Sequence, residues 1–144
     1  MRYCEYSDVY IYTKEDEQSL NEILEDLCQK YDCNKVSVRI DFEDNIIPLG
    51  RAGLYYRTTK TIVLRVNGHH PEIVKRNLYH EFRHHWQWEY YPEICQWYQD
   101  NYNEYRSEGR NNVLEQDAYC FGNSLGNNNR EDLLQNFVIP EATS

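Results

Sequence analysis

One stretch governs what this chain can fold into: "PEIVKRNLYHEFRHHWQWEYYP", residues 71 to 92. Pro71 suits a first helical turn, where its missing N–H has no partner to lose. Pro92 cannot continue a helix without removing a hydrogen bond and crowding the turn before it. The residues between them read as one long helix over about residues 71 to 90. Three of the five histidines, His80, His84 and His85, fall within six consecutive positions of it. The rest of a 144-residue chain has to pack around that helix.

His80, Glu81, Phe82, Arg83 and His84 spell H-E-x-x-H. Positions i and i+4 lie one turn apart on one helix face, so the two imidazoles can converge on one zinc ion. Glu81 is rotated by about 100° from His80 and can reach a water on the ion without binding the ion itself. The spacing therefore provides two ligands, His80 and His84, and a general base, Glu81. Ile73, Asn77, His80 and His84 share one stripe. Two histidines and an acid on a buried stripe are costly unless something binds them.

The other histidines carry weaker signals. His85 points off the ligand stripe and reads as a polar or packing residue. His69 and His70 lie in the turn before the helix, where histidines are usually solvated, although either can approach a cleft. Arg83, Trp86 and Trp88 read as residues that clamp the helix to its neighbours.

A catalytic zinc usually has three protein ligands and one open position. The third ligand must come from elsewhere, and the best candidate segment is "LEQDAYCF", residues 114 to 121. It starts far enough past His84 for the chain to turn and return alongside. Glu115 and Asp117 lie on opposite flanks of the face formed by Leu114, Ala118 and Phe121. Periodicity does not separate the two acids. The small side chain of Ala118 permits close helix contact beside them.

Other elements follow from pattern. "DVYIYT" reads as a strand, with Thr13 as the N-cap of a helix whose Leu20, Ile23, Leu24, Leu27, Cys28 and Tyr31 recur at helical spacing. "VSVRIDF" alternates, with Val36, Val38, Ile40 and Phe42 on one face and Ser37, Arg39 and Asp41 on the other. "EDNIIPLGRAG" is a loop. "LYYR" and "TIVLRV" form a hairpin around "TTK", and Ile62, Leu64 and Val66 share a face. "EICQWYQDNYNEYR" is a helix, "SEGRNN" breaks it, and "VLEQDAYCFGNSL" is another, with Leu114, Ala118, Phe121 and Leu125 as its packed face. "REDLLQNF" is a short closing helix. The expected fold is one α+β domain over residues 1–144, a small antiparallel sheet packed with helices.

Composition narrows the function. A formal net charge of −9 with no basic run disfavours nucleic acid as a partner. Five cysteines, an odd number without a CxxC pair, point to reduced thiols, with Cys28 and Cys120 as small core residues. The 14 tyrosines fit a thin core with a wet margin. The first residues carry no apolar signal segment and no stretch is long enough to span a membrane, so the expected location is cytoplasmic.

"YHEFRHHWQ" followed by "EQDAYCF" resembles the zincin metallopeptidases of the gluzincin type, above all the minimal ImmA/IrrE-like and phage-borne domains that carry HExRHxWQ and E-x-D-A-x-x-F. The resemblance covers roughly residues 53 to 122. It implies a zinc-dependent metallopeptidase acting on a protein or peptide, with His80 and His84 as ligands, Glu81 as base and Glu115, three residues before Ala118, as the third ligand. Relatives often place an Asp after that Ala to orient a ligand histidine. Here the position is Tyr119, and Asp117 is the candidate to serve instead. The strand "TIVLRV" is a candidate to pair with an extended substrate. The rival expectation is a zincin-like binding or regulatory module, in which a fourth protein ligand closes a structural zinc site.

Overall fold

Thr13 starts the first helix as its sequence implies. Its side chain accepts from the backbone N–H of Asp16, while the Asp16 carboxylate accepts from the Thr13 N–H at 2.7 Å, a reciprocal cap. The computed structural model describes residues 2–3, 10–102 and 112–140. Its elements run β1 (Arg2–Tyr3), β2 (Tyr10–Ile11), α1 (Lys14–Tyr31), β3 (Ser37–Ile40), β4 (Gly53–Tyr56), β5 (Thr61–Leu64), α2 (Pro71–Tyr90), α3 (Pro92–Asn101), α4 (Val113–Asn123) and α5 (Glu131–Gln135). The fold is α+β. Most of "SEGRNN", the end of "EICQWYQDNYNEYR" and the start of "DVYIYT" lie outside the described residues.

The central sheet is mixed, not wholly antiparallel. Its order is β3-β5-β4, with β5 antiparallel to β4 but parallel to β3. The reason lies in "TIVL". Ile62, Val63 and Leu64 are all buried, so this strand is apolar on both faces and belongs in the middle. The loop after β3 carries the chain to the far edge, where β4 forms, and β5 returns between them. "TIVLRV" therefore has no free edge to offer a substrate; β4 does.

The other edge is closed from within. The Asn21 side chain on α1 donates to the Val38 carbonyl at 3.0 Å and accepts from the Val38 N–H at 2.9 Å. Glu17 accepts from the Ile40 N–H at 3.0 Å. Two side chains thus take the place of a neighbouring strand along β3. Among the described residues no hydrogen bond reaches the outer edge of β4.

One core cluster joins α1, the sheet and helices α2 to α5. Val36, Val38, Ile40, Leu20, Leu24 and Leu27 are buried in it as their spacing implies, and Ile62, Leu64 and Val66 are fully enclosed. Leu114, Ala118 and Phe121 form the packed face of α4, but Leu125 falls beyond the helix end and is exposed. Cys95 is the deeply buried thiol; Cys28 and Cys120 are half-buried, and all four described cysteines are free. Among the described residues no helix is long and apolar enough to cross a membrane.

Asp41, expected on the solvent face of its strand, is fully buried. The chain turns just after β3, and the carboxylate accepts from the backbone N–H groups of Asn45, Ile46 and Ile47 at 2.9–3.3 Å. Arg65 holds the far side of the same loop by donating to the carbonyls of Ile47 and Pro48. Burial alone would raise the Asp41 pKa, but those N–H donors and the Arg65 charge hold it below the ordinary carboxylate value. This stabilisation is complete above the unfolded-state pKa of about 3.9 and is lost as pH falls through the lower folded-state value. Asp41→Asn is expected to cost about 1–3 kcal/mol at pH 7 by urea denaturation. The gap from wild type should shrink below about pH 4; a gap that persists undiminished at lower pH would refute this account.

Candidate metal centre

Glycine decides how close the two site helices come. A Cβ on Gly122 would lie 2.7 Å from the Arg76 carbonyl oxygen and 3.0 Å from the His80 Cβ. Any other residue there would push α4 away from α2. Ala118, one turn earlier, is fully buried on the same face. The close approach lays the first turn of α4 over the His80–His84 turn of α2.

That first turn begins at Asn112, whose side-chain oxygen accepts from the N–H groups of Leu114 and Glu115 at 2.9 and 3.3 Å. Glu115 thus sits at the positive end of α4, which favours its ionised form. Its carboxylate meets both imidazoles: Oε1 lies 2.9 Å from His84 Nε2 and Oε2 lies 3.4 Å from His80 Nε2. The two Nε2 atoms are 3.2 Å apart. Ligands at the usual zinc distances of about 2.0–2.2 Å, spread tetrahedrally, sit roughly 3.3–3.6 Å from one another. The three donors, 2.9–3.4 Å apart, lie slightly closer than this and need open only a little to take a single divalent ion.

Charge agrees with geometry. Burial would lower the His84 pKa, but the Glu115 carboxylate outweighs it and raises it to about 9. Burial would raise the Glu115 pKa, but the two histidines hold it far below the carboxylate range. Without a metal, His84 and Glu115 are held together as an ion pair. Glu81 offers an oxygen within 4.8 Å of the histidine donors. It touches neither imidazole as closely as Glu115 does, which suits a base better than a ligand.

Asp117 does not join the donors. It is fully buried and accepts from Arg83 Nε at 2.7 Å and Nη2 at 3.0 Å. Arg83 also donates to Asn129 Oδ1, and its guanidinium lies over the Trp86 ring, 3.6 Å from the centroid. Arg83 and Trp86 do clamp α2 as expected. Trp88 does so from the cleft wall, half-buried, with the Arg57 guanidinium over its ring at 3.9 Å.

Asp117 nevertheless reaches a ligand through Gln87, a residue the motif reading gave no role. Gln87 Nε2 donates to Asp117 Oδ2 and to the Leu114 carbonyl, at 2.8 and 2.9 Å. This turns its oxygen toward His84 Nδ1, 2.9 Å away. Two acceptors fix the amide, so His84 Nδ1 must carry a proton, and its Nε2 lone pair is left for a metal. The sequence signal was available: Gln87 stands three residues after His84, on the same side of the helix. His80 has a different support, the Tyr119 ring edge-on at 4.5 Å between centroids.

His85 is a buried polar residue, as its angle implies. Tyr55 donates to its Nδ1 at 2.8 Å, and its Nε2 donates to the Asn34 carbonyl at 2.7 Å. Burial lowers its pKa, keeping it neutral. His70 caps α2 by accepting from the Glu72 N–H, and neither it nor His69 lines the cleft. Ile73 is 38% exposed, so the stripe of Ile73, Asn77, His80 and His84 opens to solvent at one end and deepens toward His84. The stripe faces the cleft, not the core.

The cleft measures about 630 Å³. Its floor holds His80, Glu81, His84 and Glu115, and one wall is residues 50–59, including β4. A Cβ on Gly53 would lie 3.1 Å from Glu81 Cγ and 3.0 Å from Leu64 Cδ2, so a larger residue would make those side chains give way for the strand to come this near the carboxylate. The Arg65 N–H bonds the Ala52 carbonyl. By the alternation of an antiparallel ladder, Gly53 and Tyr55 then turn their own N–H and C=O groups outward along the free edge.

No family model, curated protein or solved structure matches the chain. The chemistry assigned to these residues therefore rests on their arrangement.

Two contrasts test that arrangement. Asp117→Ala strands a buried guanidinium and should lower stability by about 3–5 kcal/mol in urea titration. Glu115→Ala should leave a folded chain that binds zinc more than about 100-fold more weakly, beyond what loss of an orienting partner brings. Equal zinc affinity in wild type and Glu115→Ala would remove Glu115 from the ligand set. Gln87→Leu should keep the fold and weaken zinc binding about 10–100-fold, measured by competition with a chromogenic chelator. Unchanged affinity would show that the Asp117–Gln87 connection does not orient His84.

Proposed function

We propose that the protein is a zinc-dependent metallopeptidase. One observation carries the reading: three donors suited to a divalent ion converge beside a carboxylate that is not among them, at the foot of an unpaired strand edge. His80, His84 and Glu115 would hold the metal. Their two nitrogens and one oxygen suit zinc, and also iron(II). The neighbouring Glu81 favours hydrolysis over redox chemistry. A zinc ion so held supplies Lewis acidity, polarising a carbonyl and bringing the pKa of water toward about 7.

The chain's own groups do the rest. The outward N–H and C=O groups of Gly53 and Tyr55 pair with an extended peptide and fix it along β4. Glu81, against Gly53, takes the proton of the attacking water and gives it to the leaving amine. Gln87 holds His84 in the tautomer that frees Nε2. Water that is not reacting is limited by the cleft walls.

A purely structural zinc would call for a fourth protein ligand. His85 is engaged with Tyr55 and Asn34, His69 is elsewhere, and none of the described cysteines lines the cleft. These facts favour catalysis over a metal-stabilised binding module. The motif resemblance points the same way.

Protein purified without chelator should contain about one zinc per chain by elemental mass spectrometry. Glu81→Gln should keep that zinc and lose peptide hydrolysis by at least about 10²–10⁴-fold. His84→Ala should lose the metal. The reading fails if wild type takes up no zinc, or if Glu81→Gln loses zinc as readily as His84→Ala.

A further inference from the structure

Strand β4 and helix α2 run side by side with matched spacing. Gly53 lies on Glu81, Tyr55 bonds His85 one helical turn on, and Arg57 lies over Trp88. Two residues of strand advance about 6.6–6.8 Å, and the four helical residues from Glu81 to His85 advance about 6 Å. The first two pairs therefore keep step along the cleft. The third pair differs from the first two in being charged and open.

The Arg57 guanidinium carbon is 3.9 Å from the centroid of the Trp88 ring. Stacking on the indole holds the guanidinium by its flat face. Its N–H groups project from the edge of that plane. Among the described residues no carboxylate forms an ion pair with Arg57, although the protein carries 24 acidic residues and only 15 basic ones. Arg57 and Trp88 both line the cleft. The acids that share this lining, Glu81 and Glu115, belong to the metal centre. A guanidinium that is held but unpaired is a fork shaped for a carboxylate.

We propose that Arg57, stacked on Trp88, is a specificity residue that binds an acidic side chain of the peptide substrate. This rests on the peptidase reading of the same cleft. Trp88 follows His84 by one turn, about 6 Å along α2, and Arg57, in the turn just after β4, follows Gly53 by four residues, at most about 13 Å. In an extended peptide those distances correspond to roughly two to four residues from the scissile bond. β4 runs from Gly53 toward Arg57, so a peptide paired antiparallel to it presents there the residues before the scissile bond. An acidic protein that takes acidic substrates needs such a local cation, because its overall field repels them.

The test uses zinc-loaded full-length chain and fluorescein-labelled ten-residue peptides of Ala and Thr. Each carries one Glu, moved position by position, and has a Gln counterpart. Binding is read by anisotropy with Glu81→Gln, and cleavage by mass spectrometry with wild type. At the favoured position the Glu peptide should bind about tenfold more tightly than its Gln counterpart. Adding Arg57→Ala should bring that ratio to about one, and Arg57→Glu should shift the preference to a Lys peptide. Cleavage without any Glu preference, or a preference that survives Arg57→Ala, overturns the assignment of Arg57 and leaves the peptidase reading standing. Arg57-dependent binding of the Glu peptide with no cleavage by wild type does the reverse. Neither cleavage nor Glu-dependent binding overturns both.

Discussion

The buried pairing of Arg83 with Asp117 holds the rest of the site in place. The two residues belong to different helices, α2 and α4, and both are fully enclosed. An ion pair of this kind adds little net stability over a well-packed apolar pair, but it tolerates no slippage, because either charge alone in the core is costly. It sits between the histidine turn and the Glu115 turn. Together with the glycine contact at Gly122 it sets the height and rotation of α4 over α2. The distance from Glu115 to the two imidazoles follows from that setting. So does the reach of Gln87, which uses the same carboxylate of Asp117 to turn His84.

Much of this was legible in the residues, and the rest was hidden for definable reasons. The long helix, its histidine pair and its acid could be read because α-helical spacing is fixed, so a motif on one helix carries its own geometry. Glu115 could be singled out only by likeness of motif. The periodicity of its helix left Asp117 equally placed, and what separates them is the partner each meets across α2, which no single-helix pattern records. Asp41 was placed on the solvent face because strand alternation was extended past the point where the chain turns. The direction of β3 against β5 was hidden because alternation tells faces and not neighbours. Even so, the apolar character of "TIVL" on both faces was a sign that this strand would be central.

Glycines make two close contacts at the site. Gly53 brings a strand edge to Glu81 and Gly122 brings a helix to His80. Both act by lacking a side chain. The spacing of Ala118 and Gly122, small residues one turn apart, hints at close helix packing. Gly53 lies in a stretch, "GRAGLYYR", that reads simply as the end of a loop. The candidate metal centre and the bare edge of β4 are therefore joined by residues whose contribution is the room they leave.

The closure of β3 by Asn21 and Glu17 has a consequence for assembly. Sheets grow into fibres when each added copy offers a fresh edge to the next. In the described sheet only β4 can accept a strand, because the opposite border is already saturated by α1. Two copies could meet β4 to β4, and growth would stop there, with no unsatisfied border left on either. The central sheet can thus leave one backbone edge bare without becoming a seed for polymerisation.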